Sequence, residues 1–216
     1  MYETVDLVTQ IVIAALFAWF AVRAWRSENR LLKWAGVGSA FLLAVVASAM
    51  VVLTSAGLLK LSARTATTPN LKVAGTANQI QRGHAIVDGF CGACHSRTGT
   101  LTGGMDVGKD FSLPLGSFVS SNLTPAGQLA HWSDGEIFRA IRNGVDANGR
   151  WLVVMSYTNA GKLSDEDIQA IIAYIRSLPA SGQTTPEPPD HLSPLGLVML
   201  GAGLLPAGKP VLNGAI

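Results

Sequence analysis

The sequence predicts an all-α protein in which two transmembrane helices precede one small helical domain. Three observations carry that expectation. Two long stretches near the N-terminus contain no charged residue, a Cys-x-x-Cys-His motif closes a stretch of helical periodicity, and two later amphipathic stretches each open on a serine followed by acidic residues. Charged residues make up only 14% of the 216 positions, well below the roughly 25% of a soluble domain, so part of the chain is expected in lipid. What remains is enough for one ordinary domain.

Leu7 to Val22 is apolar apart from Thr9 and Gln10, and with its flanks it reaches the roughly 17 residues needed to cross hydrocarbon. A first span is therefore expected over about residues 7–24. Trp34 to Leu59 is a second charge-free stretch, rich in Ala, Gly, Ser and Val, and longer than the roughly 20 residues a bilayer requires. Gly36, Gly38, Ser39, Ala40 and Ala44 suit close packing against another helix. A cleavable signal would carry positive charge ahead of its apolar core, whereas Glu3 and Asp6 stand there, so the first helix is expected to stay. Arg23, Arg26, Arg30 and Lys33 crowd the connection between the spans, with only Glu28 opposing them. That connection is expected on the cytoplasmic side, as one face of a bacterial inner membrane, with both termini and everything after Leu59 on the other.

The expected organisation is a transmembrane hairpin over residues 1–60, a linker over 61–76, a helical domain over 77–179, and a Pro-rich linker with a short apolar tail over 180–216. Ala77 to Phe90 places Ile80, His84 and Val87 at helical spacing and runs into Cys91. Leu101 to Thr124 is rich in Gly and Ser and reads as an irregular loop long enough to wrap a ligand. Ser133-Asp-Gly-Glu136 has the form of a capping box and predicts a short helix from near Asp134 to Gly144. Ser164-Asp-Glu-Asp167 repeats the device before Ile168, Ile171, Ile172, Ile175 and Leu178, a stripe that stops at Pro179. The apolar run Leu195 to Leu205 is too short to span and is expected to dock on a partner or at the interface.

Cys91 and Cys94 are the only cysteines, so a disulfide scaffold is excluded and the pair acts as a local motif. Two thiols one helical turn apart can reach the two vinyl groups of a single haem c, while the adjacent His95 can coordinate its iron. A thioredoxin-like pair would need a βαβ setting, and a structural zinc site would need more ligands than His95 adds. A disulfide between Cys91 and Cys94 would close a tight loop and leave His95 without a role. For the second axial ligand, Met155 is favoured, since the chain can return there over the other haem face. Met105 in the Gly-rich loop is an alternative, and His84 and His131 are expected at the surface or in structural roles. The formal charge of +2 comes without a basic run or a basic stripe broken by aromatics, which makes nucleic acid an unsuitable partner.

Residues 77–179 resemble class I c-type cytochromes, particularly the haem domains of cytochrome subunits of membrane-bound dehydrogenases and related respiratory complexes. The resemblance rests on Gly83, Cys91-Gly-Ala-Cys94-His95, Asn122-Leu-Thr-Pro125, His131-Trp-Ser-Asp-Gly-Glu136, Arg142-Asn-Gly144, Met155, and Leu163 to Ile168 leading to Ala173-Tyr174-Ile175-Arg-Ser-Leu-Pro179. It implies that Gly83 permits a close crossing of the first and last helices, with Tyr174 packed there. It also makes Asn122-Leu-Thr124 a turn rather than a glycosylation site. Two departures stand out: Val87 sits where such domains often have an aromatic residue, and Ser156 follows Met155 where they often have proline. The end of the chain resembles segments joining one haem domain to the next, without a second Cys-x-x-Cys-His motif.

The expected function is one-electron transfer, not bond-making catalysis, with one haem c held by Cys91, Cys94, His95 and Met155. Partners would be membrane-embedded redox complex subunits and a further electron carrier or oxidase, with the lipid bilayer as support. Between Ala77 and Pro179 there are eight Lys plus Arg and nine Asp plus Glu, so the domain carries no strong steering charge. A haem-based gas sensor or enzyme with an exchangeable sixth ligand, and a mainly structural subunit, are the competing readings.

Overall fold

The computed structural model describes residues 2–214. In chain order it contains α1 (Tyr2–Trp25), α2 (Arg30–Ala63), α3 (Ala77–Phe90), α4 (Gly92–His95), β1 (Gly116–Phe118), α5 (Asp134–Asn143), α6 (Val153–Tyr157), α7 (Asp165–Ser177), β2 (Asp190–Leu192) and α8 (Pro194–Gly201). The molecule is mostly helical, and β1 and β2 form one antiparallel pair with Ser117 opposite His191. Two compact units result, one of residues 2–60 with 193–206, the other of 61–192 with 207–214.

In the first unit, α1 and α2 are both long and apolar enough to cross a membrane. Asn29 ends the turn between them, its Oδ1 accepting from the amides of Leu31 (3.0 Å) and Leu32 (3.2 Å). The face that α2 buries falls at Ala40, Ala47 and Thr54, seven residues apart, the repeat that keeps two helices in contact along a seam. Within that seam Thr54 Oγ1 donates to Gln10 Oε1 at 2.9 Å, so the one amide of the first apolar stretch is satisfied by the other helix. Gly36 lies against Ala24, as close packing of small residues requires, whereas Gly38 faces open space. The third helix of this unit, α8, packs on α2.

The second unit is built on the crossing of α3 and α7. A Cβ at Gly83 would stand 2.0 Å from the carbonyl oxygen of Ala170 and 2.9 Å from Cβ of Tyr174, so only glycine lets the backbones meet there. Ile168, Ile171, Ile172 and Ile175 of α7 are almost wholly buried and pack with Val87, Leu101, Trp132 and Ile137. The helix starts follow their caps. Thr76 and Gln79 form a capping box on α3, Ser133 and Glu136 another on α5, and Ser164 Oγ accepts from the Asp167 amide (3.1 Å) on α7. Gly144 takes a positive φ of 63° and closes α5.

The stretches expected as linkers are packed parts of this unit. Leu71 and Val73 lie against the core, the Val73 amide donates to Asp134 Oδ2 (2.9 Å), and Arg64 Nε donates to the Asn143 carbonyl (2.6 Å). Residues 180–192 bind the long loop: Asn122 Nδ2 donates to the carbonyls of Ser181 (2.8 Å) and Gln183 (3.0 Å), and β2 pairs with β1. With prolines limiting its own hydrogen bonds, this segment satisfies itself against a neighbour that is equally irregular. The side chain of Asn122 is buried and fully used, which fits a turn and leaves no room for a glycan.

Candidate haem-binding cleft

Cys91 ends α3, and the single turn α4 carries Cys94 and His95 beyond it, which sets the three side chains on one short piece of helix. They line an apolar cleft of two adjoining lobes, of about 720 and 660 Å³ measured to their open mouths. Both lobes are lined by Cys91, His95, Ser121, Leu152, Met155 and Ala160. Cys94, Phe90, Phe118 and Asp190 belong to one lobe, and Trp132, Ile137, Ile171 and Ile175 to the other. A cleft walled mainly by apolar side chains, with few polar groups, suits a flat, largely apolar cofactor.

His95 Nδ1 lies 2.8 Å from the Ser121 carbonyl oxygen, a bond in which the imidazole N–H donates. That assigns the proton to Nδ1 and leaves Nε2 with its lone pair, the tautomer a metal requires. Burial pushes the His95 pKa down, and the Ser121 bond offsets only part of this, so the ring stays neutral. The Gly103 amide donates to the His95 carbonyl at 2.7 Å, tying the loop to the same turn. Burial pushes the Cys91 thiol up to about 11, with the neighbouring Cys94 adding to the shift. Thiol–disulfide enzymes need the opposite, a thiol whose pKa is lowered, so the setting disfavours a thioredoxin-like role.

Met155 sits in α6, a helix of five residues held by its surroundings. Trp151 Nε1 donates to Ser156 Oγ (2.7 Å), which in turn donates to the Val153 carbonyl (2.8 Å), all of them buried. The Val153 amide donates to Asp190 Oδ2 at 2.5 Å, and the Leu152 amide donates to the Gly144 carbonyl at 2.8 Å. A Cβ at Gly144 would come within 2.8 Å of Cβ of Ser156, so α5 can end against this turn only through glycine. Asp190 is the residue that sequence reasoning missed. It reaches α6 from β2, and its carboxyl, buried beside the cleft, is pushed up to about 6 by desolvation, partly offset by the Val153 bond and by Arg150.

The other nitrogen and sulfur donors lie elsewhere. His84 is exposed, 3.1 Å from Asp88 and stacked near Tyr174, and His131 is exposed as well. Met105 lines neither lobe. A thioether, an imidazole with a free Nε2 and two adjacent thiols in an apolar cleft fit the donor set of a covalently held haem. No group of three or more His, Cys, Asp or Glu side chains suited to a metal ion occurs among the described residues.

Comparison with known proteins finds similarity over the same part of the chain. Residues 78–175 match the family described as cytochrome c oxidase, cbb3-type, subunit III. The fructose dehydrogenase cytochrome subunit of Gluconobacter japonicus is 31% identical over 143 residues, 61% of this chain and 28% of the relative. The gluconate 2-dehydrogenase cytochrome c subunit of Pantoea cypripedii is 34% identical over 101 residues, 44% and 22% respectively. The cytochrome c subunit of the quinone-dependent alcohol dehydrogenase of Gluconacetobacter polyoxogenes is 29% identical over 101 residues, 44% and 21%. The chain thus spans under a third of the length of these curated relatives.

Proposed function

We propose, from the premise that residues 78–175 form a c-type cytochrome domain, that the chain is a membrane-anchored electron-transfer cytochrome. It relays single electrons through one covalent haem between redox partners of a respiratory, photosynthetic or dehydrogenase complex. The observation that carries this reading is that Met155, sixty residues beyond His95 in the chain, lines both lobes of one apolar cleft together with Cys91 and His95. Haem, when bound, supplies reversible one-electron chemistry at its iron.

The chain's residues do the rest. Cys91 and Cys94 hold the group by thioether bonds, and His95, oriented by Ser121, offers Nε2 to the iron. Met155 would offer its sulfur, and a thioether ligand raises the potential of a haem. Apolar walls from Leu129, Trp132, Ile137 and Ile171 keep water off the site. The relatives' names, cytochrome subunits of fructose, gluconate and alcohol dehydrogenases, support a dehydrogenase as donor. The chain itself is then an electron-transfer subunit and not the catalytic one. The α1–α2 hairpin anchors it, and the basic connection at Arg23, Arg26, Arg30 and Lys33 sets that loop on the cytoplasmic side and the haem domain on the other.

An absorption spectrum of the purified protein, with and without carbon monoxide, tests the ligand set. The reduced wild type is expected to ignore carbon monoxide and Met155→Ala to bind it. Ready binding by the wild type would overturn the closed six-coordinate site and favour a sensor or enzyme. Cys91→Ser with Cys94→Ser is expected to yield protein from which haem is lost on denaturation.

A further inference from the structure

We infer that α8 is a third membrane-embedded element, an apolar helix too short to cross, clasped to α2 and covered on its outer side by lipid acyl chains. The inference rests on the reading of α1 and α2 as membrane spans. From Ser193 to Leu205 there is no charged or amide side chain, and the eight residues of α8 extend about 12 Å, well short of the roughly 30 Å hydrocarbon core.

Its contact with α2 is made backbone to backbone. A Cβ at Gly57 would lie 2.3 Å from the Leu197 carbonyl oxygen, and one at Gly201 would lie 1.9 Å from the Leu53 carbonyl oxygen and 3.1 Å from the Gly57 nitrogen. Each helix therefore supplies one glycine to the carbonyl of the other, the small-residue packing that joins helices in lipid. The level of this contact is set by α2: Leu53 and Gly57 fall inside the charge-free stretch Trp34–Leu59, within its last two turns, so the contact lies in the apolar stretch toward the end that leads on to Lys60.

Most of the end groups of α8 find partners within the chain. In hydrocarbon every backbone polar group needs a partner within the protein. Ser193 Oγ accepts from the Gly196 amide (3.1 Å), and Pro194 in the first turn has no N–H to satisfy. At the other end Lys60 Nζ donates to the carbonyls of Leu200 (2.8 Å) and Gly201 (3.1 Å). The amides of Ala202, Gly203 and Leu204 turn back onto Val198, Leu200 and Met199. Lys60, the first residue past the charge-free stretch, thus caps the last carbonyls of α8 with its ammonium. Meanwhile Leu195 near the start of α8 and Leu204 just past its end are 41% and 68% exposed, so the segment presents apolar side chains outward. By connectivity alone, residues 61–192 are then bounded by membrane-embedded segments on both sides.

The test uses the haem-loaded chain, whose own two cysteines are consumed by thioether bonds, purified and reconstituted alone into phosphatidylcholine–phosphatidylglycerol vesicles. Spin labels are placed at Leu195→Cys and Leu204→Cys, with Leu42→Cys in mid-span and Asn148→Cys in an exposed loop as references. Relaxation by oxygen, which partitions into lipid, is compared with relaxation by a water-soluble nickel chelate. Positions 195 and 204 are expected to favour oxygen several-fold, as position 42 does, and position 148 to favour nickel. Nickel access at 195 and 204 beside an oxygen preference at 42 would overturn this inference alone, as would shielding from both reagents, the sign of a second protein copy. Nickel access at 42 would instead remove the membrane reading of α2 and this inference with it.

Discussion

Ser156 stands where the family resemblance leads one to expect proline, and the structure shows what replaces the ring. Its hydroxyl receives the Trp151 indole N–H and donates to the Val153 carbonyl, so two buried hydrogen bonds do the stiffening that a proline does covalently. Ser156→Ala leaves the indole N–H buried without an acceptor, a loss of about 1–3 kcal/mol. The expected result is a lower melting temperature together with partial carbon monoxide binding by the reduced protein, measured by calorimetry and absorption, because the turn bearing Met155 loosens. Asp190 makes a pH prediction. Its folded pKa, about 6, lies above the ordinary carboxyl value of 3.8, so the folded state binds more protons than the unfolded one across that interval. Its contribution to stability is therefore fully present below about pH 4 and is lost as pH rises through about 6, by at most about 3 kcal/mol. Asp190→Asn, which keeps an acceptor for the Val153 amide, is expected to gain melting temperature relative to the wild type as pH rises from about 4 to 7. A difference independent of pH would sink the assignment. Cys91, Cys94 and His95 were legible in the sequence because their geometry is local, a single helical turn. Asp190 and Ser121 were not, since what makes them matter is a carbonyl or an amide supplied by a distant segment.

At the scale of elements, two glycines of α3 separate packing from propensity. Gly83 meets the Ala170 carbonyl, whereas a Cβ at Gly89 would touch nothing within 4 Å. Gly83→Ala is expected to cost more than about 2 kcal/mol, because backbone cannot yield as a side chain can. Gly89→Ala is expected to stabilise by about 0.5–1 kcal/mol through helix propensity alone. Thermal unfolding of the two variants side by side decides the matter, and equal effects would mean that the crossing is looser than described. The same contrast explains which elements could be read in advance. The helix over Ala77–Phe90, the capping box at Ser133 and Glu136, and the stop at Pro179 are written in neighbouring residues and were anticipated with little error. β1 and β2 have three residues each and depend on a partner more than 70 positions away, so no alternation could announce them. The apolar run after Pro194 was legible as apolar and short, but its seat on Gly57 required two glycines in separate helices to be seen together.

For the whole molecule, the proposed electron-transfer role raises the question of how a charge-poor chain would meet a redox partner. Residues 77–179 carry eight basic and nine acidic side chains, and several are already committed internally: Arg142 to Asp165 and to the Gly161 carbonyl, Arg176 to Asp134, and Arg82 to Asp167. Pairs so placed leave little net field beyond the Debye length, about 10 Å at ordinary ionic strength, so long-range steering contributes little to encounter. On the proposed reading, confinement to one membrane with the partner would supply a high effective concentration instead, through the α1–α2 hairpin. This has a consequence that needs no knowledge of the partner. In the detergent-solubilised protein, oxidation by ferricyanide and reduction by hexaammineruthenium, reagents of opposite charge, are expected to change less than about twofold between about 0.05 and 0.5 M salt. Stopped-flow absorption measures both rates. A steep slope of opposite sign for the two reagents would reveal a localised charged patch at the cleft mouth, and partner selection would then rest on electrostatic docking and not on shared anchoring.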